Sequence, residues 1–322
     1  MTVGVNLNNR EALITAGYDL RRLLDLAVRA EARGFDSVWV GDSLFSKPRW
    51  DPIVLLSAAA VVTRRVRLGT ACLMVSQRHP LHLAQQWATL DALSGGRTVL
   101  GACAGNAEAR VRAEFAALGL PYRHRFELLE EAVQVLRQAW STGRVDFEGR
   151  HLRFHDVAWH SGTERTPLRP VQERVPVWIV SNPWLGRPAF AERAARRVAG
   201  LADGWLSCCA ESPRLVREHL ERIRAARDRP LAVAYQVTLH LARSREEAER
   251  GLREYVAAYY PEWGATSPPA SWGPYGTAAE VREWFREYRT VGGVEHFIVR
   301  FAARDQTAQL ERFAEEVLPY LS

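Results

Sequence analysis

The sequence predicts an α/β protein: one closed (β/α)8 TIM barrel carrying a β-hairpin insertion and a Pro/Gly/Trp-rich lid insertion. Three observations predict it. Residues 66 to 106 read as strand, loop, helix, tight turn, strand, a βαβ crossover that implies parallel pairing. That unit recurs until eight apolar strands are counted, each followed by a helical pattern. No linker along the 322 residues has the composition of a domain boundary, and α/β barrels of this length are ordinary single domains, so residues 1–322 read as one unit.

Thr2 to Leu7 is a first strand, running into Asn8-Asn9. Asp19 caps a helix with Leu20, Leu23, Leu24, Ala27 and Val28 at helical spacing; Gly34 ends it and Ser37 to Val40 is the second strand. After Gly41-Asp42-Ser43 and a loop, a helix starts at Asp51-Pro52, with proline in the first turn. In the central unit, Val66 to Leu73 is a strand and Leu81, Ala84, Trp87 and Ala88 mark a helix. Ser94-Gly95-Gly96 stops that helix, and Thr98 to Cys103 is the next strand. A polar stretch follows Asn106, then a helix from His124 to Trp140. Residues 145 to 157 alternate around Glu148-Gly149 as a hairpin, within an insertion spanning 144–175. Val177 to Val180, Asp203 to Ser207 and Leu231 to Leu241 are further strands, with helices from Pro188, Pro213 and Glu246. The segment 261–277 is too long and too aromatic for a plain connector and reads as a lid. A helix capped by Thr277, the strand His296 to Phe301 and a last helix close the count.

Composition narrows the function classes. A hydrophobic content of 47% is ample for a large core, and no apolar run reaches the length of a membrane span. Met1 leads straight into a strand, so a cytoplasmic protein is expected. The formal charge of +6 comes almost wholly from arginine, mostly on helices beside glutamate, which describes solvated helix faces rather than a nucleic-acid surface. Four cysteines, Cys72, Cys103, Cys208 and Cys209, lack C-x-x-C spacing and are expected to be reduced and buried.

Chemistry in such barrels sits at the C-terminal ends of the strands. The candidates there are Asn6, Asp42-Ser43, Ala71-Cys72, Gly105-Asn106, Ser181-Asn182, Ser207 and His296, with His296 and Asp42 as the candidate catalytic groups. No metal is expected: the first strand offers Asn6-Leu7-Asn8 where a barrel hydrolase needs His-x-His, and His151, His155 and His160 lie on the hairpin, away from the mouth. No G-x-S-x-G elbow is present, and Gly101 to Gly105 lacks dinucleotide spacing. What remains is an apolar, aromatic mouth with arginines nearby, suited to a flat heteroaromatic cofactor ending in phosphate.

The run RHPLHLAQQWATLDALSGGR, followed by a strand and G-x-x-x-G-N, resembles the bacterial luciferase-like family of flavin-dependent monooxygenases and deazaflavin-dependent oxidoreductases. AEARGFDSVWVGDS, VRLGTACL, EFAALGLPYRHRFELLEEAVQVLRQAW, FEGRHLRF, LADGW and VGGVEHFIV support it in order along nearly the whole chain. The resemblance implies reduced FMN or coenzyme F420 at the barrel mouth, a small organic substrate, often a homodimer, and for the FMN case a separate flavin reductase. Carried over by position, it implies a non-proline cis peptide at Ala71-Cys72 behind the ring and a polar contact from Asn106. It further implies that His124 and Arg125 lie near the cofactor, and that Ser181, Asn182, Gly186 and Arg187 lie near its phosphate. Relatives often carry His after the acidic residue of the second strand; Ser43 stands there, so no proton donor is assigned to that position. A monooxygenase using reduced FMN and O2 is the first reading, hydride transfer with coenzyme F420 the alternative, and a non-catalytic flavin-binding relative a third.

Overall fold

The computed structural model describes residues 1–165, 168–186, 188–260 and 264–321. Eight parallel strands close on themselves: β1 (Thr2–Leu7), β2 (Ser37–Val40), β3 (Arg67–Thr70), β4 (Thr98–Cys103), β5 (Val177–Val180), β6 (Gly204–Cys208), β7 (Ala232–Leu241) and β8 (His296–Phe301). Each pairs with the next, and β8 returns to β1 with Thr2 opposite His296 and Val5 opposite Val299. The main helices after these strands are α1 (Arg22–Ala32), α2 (Pro52–Val62), α3 (Pro80–Ser94), α4 (Arg125–Thr142), α5 (Pro188–Leu201), α6 (Pro213–Ala225), α7 (Ala278–Thr290) and α8 (Gln306–Glu316), and a further helix, Arg245–Tyr259, lies between β7 and α7. Local chemistry sets their ends. The Asp51 carboxylate caps α2 by accepting from the N–H groups of Ile53 and Val54, and Thr277 with Glu280 forms a capping box on α7. Gly95, at φ +68°, ends α3 in the left-handed conformation that glycine takes freely.

Alternation along the strands builds two cores. Outward residues such as Val3, Val5, Leu7, Val38, Val40, Leu100 and Val177 pack against the helices. Inward residues Trp39, Val99, Trp178, Leu206, Ala234 and Ile298 fill the lower barrel. The Trp39 and Trp178 rings stack at 5.1 Å, and three inward glycines make room for them. A Cβ on Gly69 would meet the Trp39 ring at 2.2 Å, one on Gly4 would meet Trp39 Nε1 at 2.6 Å, and one on Gly204 would meet Trp178 at 2.5 Å.

Several expectations need adjustment. The stretch after Asn106 is not irregular: Ala109–Ala117 is a helix, and a short one, Glu11–Ile14, follows β1. The third strand is shorter than read, breaking after Thr70 and resuming at Leu73–Met74. The hairpin forms as expected, Arg144–Glu148 against Arg153–Ala158. In the lid segment, Trp263 lies outside the described residues. Trp272 stacks on Tyr260 at 5.0 Å, and Tyr275–Gly276 adds a short parallel strand to β7, so both aromatics pin the segment to the barrel. Of the cysteines, Cys103 is buried, Cys72 and Cys208 are half-buried and Cys209 is exposed; all four are free thiols. Among the described residues no helix is long and apolar enough to cross a membrane.

Candidate active site

A cavity of about 950 Å³ opens above the tryptophan layer, at the C-terminal ends of the strands. Asp42 and Ser43 reach it after β2, Cys72 after β3, Cys103 to Asn106 from the end of β4, and Ser181 and Asn182 after β5. Arg125 and Phe126 from α4 and Arg193 and Arg197 from α5 close the far side, beside Gly186. The Ala71–Cys72 peptide is cis, and Ala71 packs on the tryptophan layer while Cys72 faces the cavity.

Asp42, Cys72, Asn106, Ser181, Asn182 and Gly186, all expected near the site, therefore line one hollow. Of the other described residues expected there, Asn6, Ala71, His124, Ser207 and His296 are not part of the lining. Asn6 is buried on β1, in register with Trp39, and is not part of the lining. His124 turns away from the cavity to Glu127 and His151, leaving its neighbour Arg125 on the wall. Arg187 lies outside the described residues. His296 is a correction: it opens β8, so it sits at the N-terminal end of the barrel, where its Nδ1 is 2.5 Å from Thr2 Oγ1 and its ring lies 5.3 Å from that of Trp178. Strand direction puts the tryptophan layer between this histidine and the cavity, so it has no part in the mouth.

The polar wall is anchored by two buried carboxylates. Asp42 accepts from Met74 N at 3.0 Å and from Arg78 Nη2 at 3.1 Å. Burial raises its pKa above the ordinary carboxylate value, with the Arg78 charge opposing the shift. Glu114, from the Ala109–Ala117 helix, holds the loop after β2. Its Oε1 accepts from the N–H groups of Phe45 at 2.8 Å and Ser46 at 2.6 Å, and from the Ser43 hydroxyl at 3.3 Å. Ser43 is thus a loop fastener. Its hydroxyl also accepts from Lys47 N at 2.9 Å.

At the far side the arginines are unequal. Arg197 is engaged by Glu130 at 2.6 Å, whereas Arg193 is exposed and has no ion pair among the described residues. Arg125 lies over the rings of Tyr122 and Phe126, at 4.2 and 4.3 Å, and its buried Nε has no hydrogen-bond partner. The buried Ser181 hydroxyl is likewise unsatisfied. Arg125 and the exposed Arg193 give this side of the hollow positive charge, which fits a bound anionic group.

Sequence reasoning missed a second cluster at the rim. Arg300, two inward positions beyond His296 on β8, donates to Thr238 Oγ1 through Nε at 2.9 Å and Nη2 at 2.7 Å, and to the Tyr260 hydroxyl at 3.1 Å. Arg49, which lines the cavity, donates to the Tyr259 hydroxyl at 2.7 Å. Burial opposes ionisation of Tyr260, but Arg300, Arg49 and Lys47 hold its phenol below the ordinary value. The available signal was the period of two along β8, which places Arg300, not His296, at the mouth.

The family of luciferase-like monooxygenases matches residues 1–296. The F420-dependent glucose-6-phosphate dehydrogenase of Intrasporangium calvum is 30% identical over 94% of this chain and 95% of that one; the Amycolatopsis mediterranei enzyme of the same name is 27% identical over 94% of each. Among solved structures, monooxygenase RslO1 from Streptomyces bottropensis superposes with a TM-score of 0.79 at 24% identity over the whole of both chains. An F420-dependent secondary alcohol dehydrogenase gives 0.77 at 20% identity, covering 100% of this chain and 99% of that one. A parallel barrel closed below, open at the strand ends and matched by that family along nearly its full length leaves one assignment: this chain belongs to the luciferase-like monooxygenases and is an oxidoreductase of that family.

Proposed function

We propose that the protein is a coenzyme F420-dependent oxidoreductase that transfers hydride between the deazaflavin and a small hydroxyl- or carbonyl-bearing substrate. The observation that carries this reading is the 30% identity to an F420-dependent dehydrogenase over 94% of this chain, together with a cavity whose lining arginines suit an anionic ligand. It moves the balance away from the FMN monooxygenase that the sequence favoured first. When bound, the deazaflavin supplies the carbon that accepts or gives hydride. The chain's own residues do the rest. Cys72 and Ile179 offer flat, largely apolar walls, and Asn106 and Ser181 offer hydrogen bonds. Arg125 and Arg193 offer charge to a phosphate. Asp42, whose carboxyl keeps its proton to a higher pH than usual, lines the hollow and is able to hold or release one beside a substrate oxygen.

The test is a titration of purified protein with oxidised and reduced coenzyme F420 and with reduced FMN, followed by anaerobic turnover of alcohols and sugar phosphates. Binding of F420 and hydride transfer without oxygen are expected. Oxygen-dependent turnover with reduced FMN and no binding of F420 would instead restore the monooxygenase. Arg125→Ala is expected to weaken coenzyme binding about tenfold or more, as loss of a charged hydrogen-bond donor does; an unchanged dissociation constant would take Arg125 out of the site.

A further inference from the structure

Away from the cavity, the first turn of α4 and the tip of the hairpin bring two imidazoles and a carboxylate to one point. His124 Nδ1 donates to Glu127 Oε2 at 2.7 Å, and His151 Nε2 lies 2.5 Å from the same oxygen. The two rings are 4.6 Å apart and tilted by 40°. Three donor atoms on three side chains lie within 4.8 Å of one another. The histidine side chains are 18% and 14% exposed and the carboxylate 44%, so the nitrogens form a covered floor and the oxygen an open side.

Second, this arrangement is held by groups other than its own. Glu131, one turn beyond Glu127, accepts from the backbone N–H groups of Arg150 at 2.9 Å, His151 at 3.0 Å and Leu152 at 2.8 Å. Those bonds deliver the His151 ring to Glu127 whether or not anything sits between them, which lowers the ordering cost of binding there.

We propose that His124, Glu127 and His151 form a site for a divalent transition ion of the zinc type, with a fourth position open to water. Two imidazole nitrogens and one carboxylate oxygen are the donor set such ions take. Around one tetrahedral ion at bond lengths near 2.0–2.2 Å the donor atoms stand about 3.3 Å apart, so Glu127 draws back by under ~1 Å, a small rotation for a half-exposed side chain. Arg123 and Arg150 oppose the ion. Arg123 Nε donates to His124 Nε2 at 2.9 Å, which places the imidazole proton on Nδ1, and Arg150 Nη1 lies 3.7 Å from Glu127 Oε2. Ion binding moves that proton to Nε2 and releases the exposed Arg123 side chain. The ion then ties the hairpin to α4, one residue from Arg125 on the cavity wall.

The experiment uses untagged full-length protein, stripped with a chelator and titrated with Co²⁺, and with Zn²⁺ against a chromophoric competitor. One ion per chain is expected, with a Co²⁺ spectrum of tetrahedral type and a thermal midpoint that rises with Zn²⁺. Glu127→Gln and His151→Ala are each expected to weaken binding at least about tenfold. Arg123→Ala is expected to strengthen it, a gain that misfolding cannot imitate. His155, on the exposed face of the hairpin between Asp146 and Glu148, is the control, and His155→Ala is expected to change nothing. No ion bound at micromolar concentration overturns the proposal, as does full-strength binding in both ligand variants or loss of binding in His155→Ala.

Discussion

Replacing Glu114 with alanine tests how far the loop over the cavity depends on one carboxylate. The side chain is fully buried, and it takes the backbone N–H groups of Phe45 and Ser46, the Ser43 hydroxyl, and the Gln77 amide at 3.0 Å. Hydrogen bonds to an ionised acceptor contribute about 1.5–3 kcal/mol each, so the two backbone bonds alone come to about 3–6 kcal/mol. Alanine removes the acceptor and leaves two N–H groups in a site closed to water. The chain then either bears that cost or lets residues 43 to 47 detach, and Ser43, Ser46 and Lys47 lose their places on the cavity wall. Glu114→Gln keeps the volume and one carbonyl oxygen while losing the charge, which leaves about half of each bond, a loss of roughly 1.5–3 kcal/mol. Urea unfolding and a coenzyme titration on the same samples read both routes. An alanine variant within about 0.5 kcal/mol of wild type in stability and within about twofold in affinity would refute this account of the loop.

Burial raises the Glu11 carboxyl from its ordinary 4.5 to about 7, against the Tyr255 hydroxyl bond and the charges of Arg300 and Arg304. A carboxyl raised by folding contributes stability fully present below its unfolded value and lost as pH rises through its folded one. Wild-type stability should therefore fall by ~3 kcal/mol between those two values while Glu11→Gln stays nearly level, and urea midpoints across that range check it. His296→Ala should lose about 1–2 kcal/mol of stability with its Thr2 contact yet keep its turnover per folded molecule; a selective loss of turnover would return the residue to the site. Asn106→Ala should weaken coenzyme binding about tenfold, the worth of one hydrogen bond, with an unchanged dissociation constant removing it from the wall.

The parts of this molecule legible in the sequence are those fixed by neighbours a few residues apart. Strand periods, the Asp51-Pro52 helix start, the stop at Gly95 and the hairpin around Glu148-Gly149 are local chemistry, and each forms where expected. Asp42, Cys72, Asn106 and Ser181 were legible because strand ends must face the mouth. What the sequence hid was contact at long range. Glu11 meets Tyr255, Arg49 meets Tyr259 and Ser43 meets Glu114, pairs whose partners lie 71 to 244 positions apart. His296 was misplaced for a different reason. As the first residue of its strand it lies at the N-terminal end of the barrel by chain direction alone, which the sequence already contains.

The indole pair under the cavity turns the barrel into a well with a floor. The stacked rings of Trp39 and Trp178 fill the axis there, and glycines at 4, 69 and 204 leave them the room to do so. Whatever descends must climb back by the same opening, so two guests occupying the shaft in tandem leave in reverse order of arrival. Kinetics of compulsory order, with the deeper guest holding the first and last turn, would be the signature of that plugged shaft.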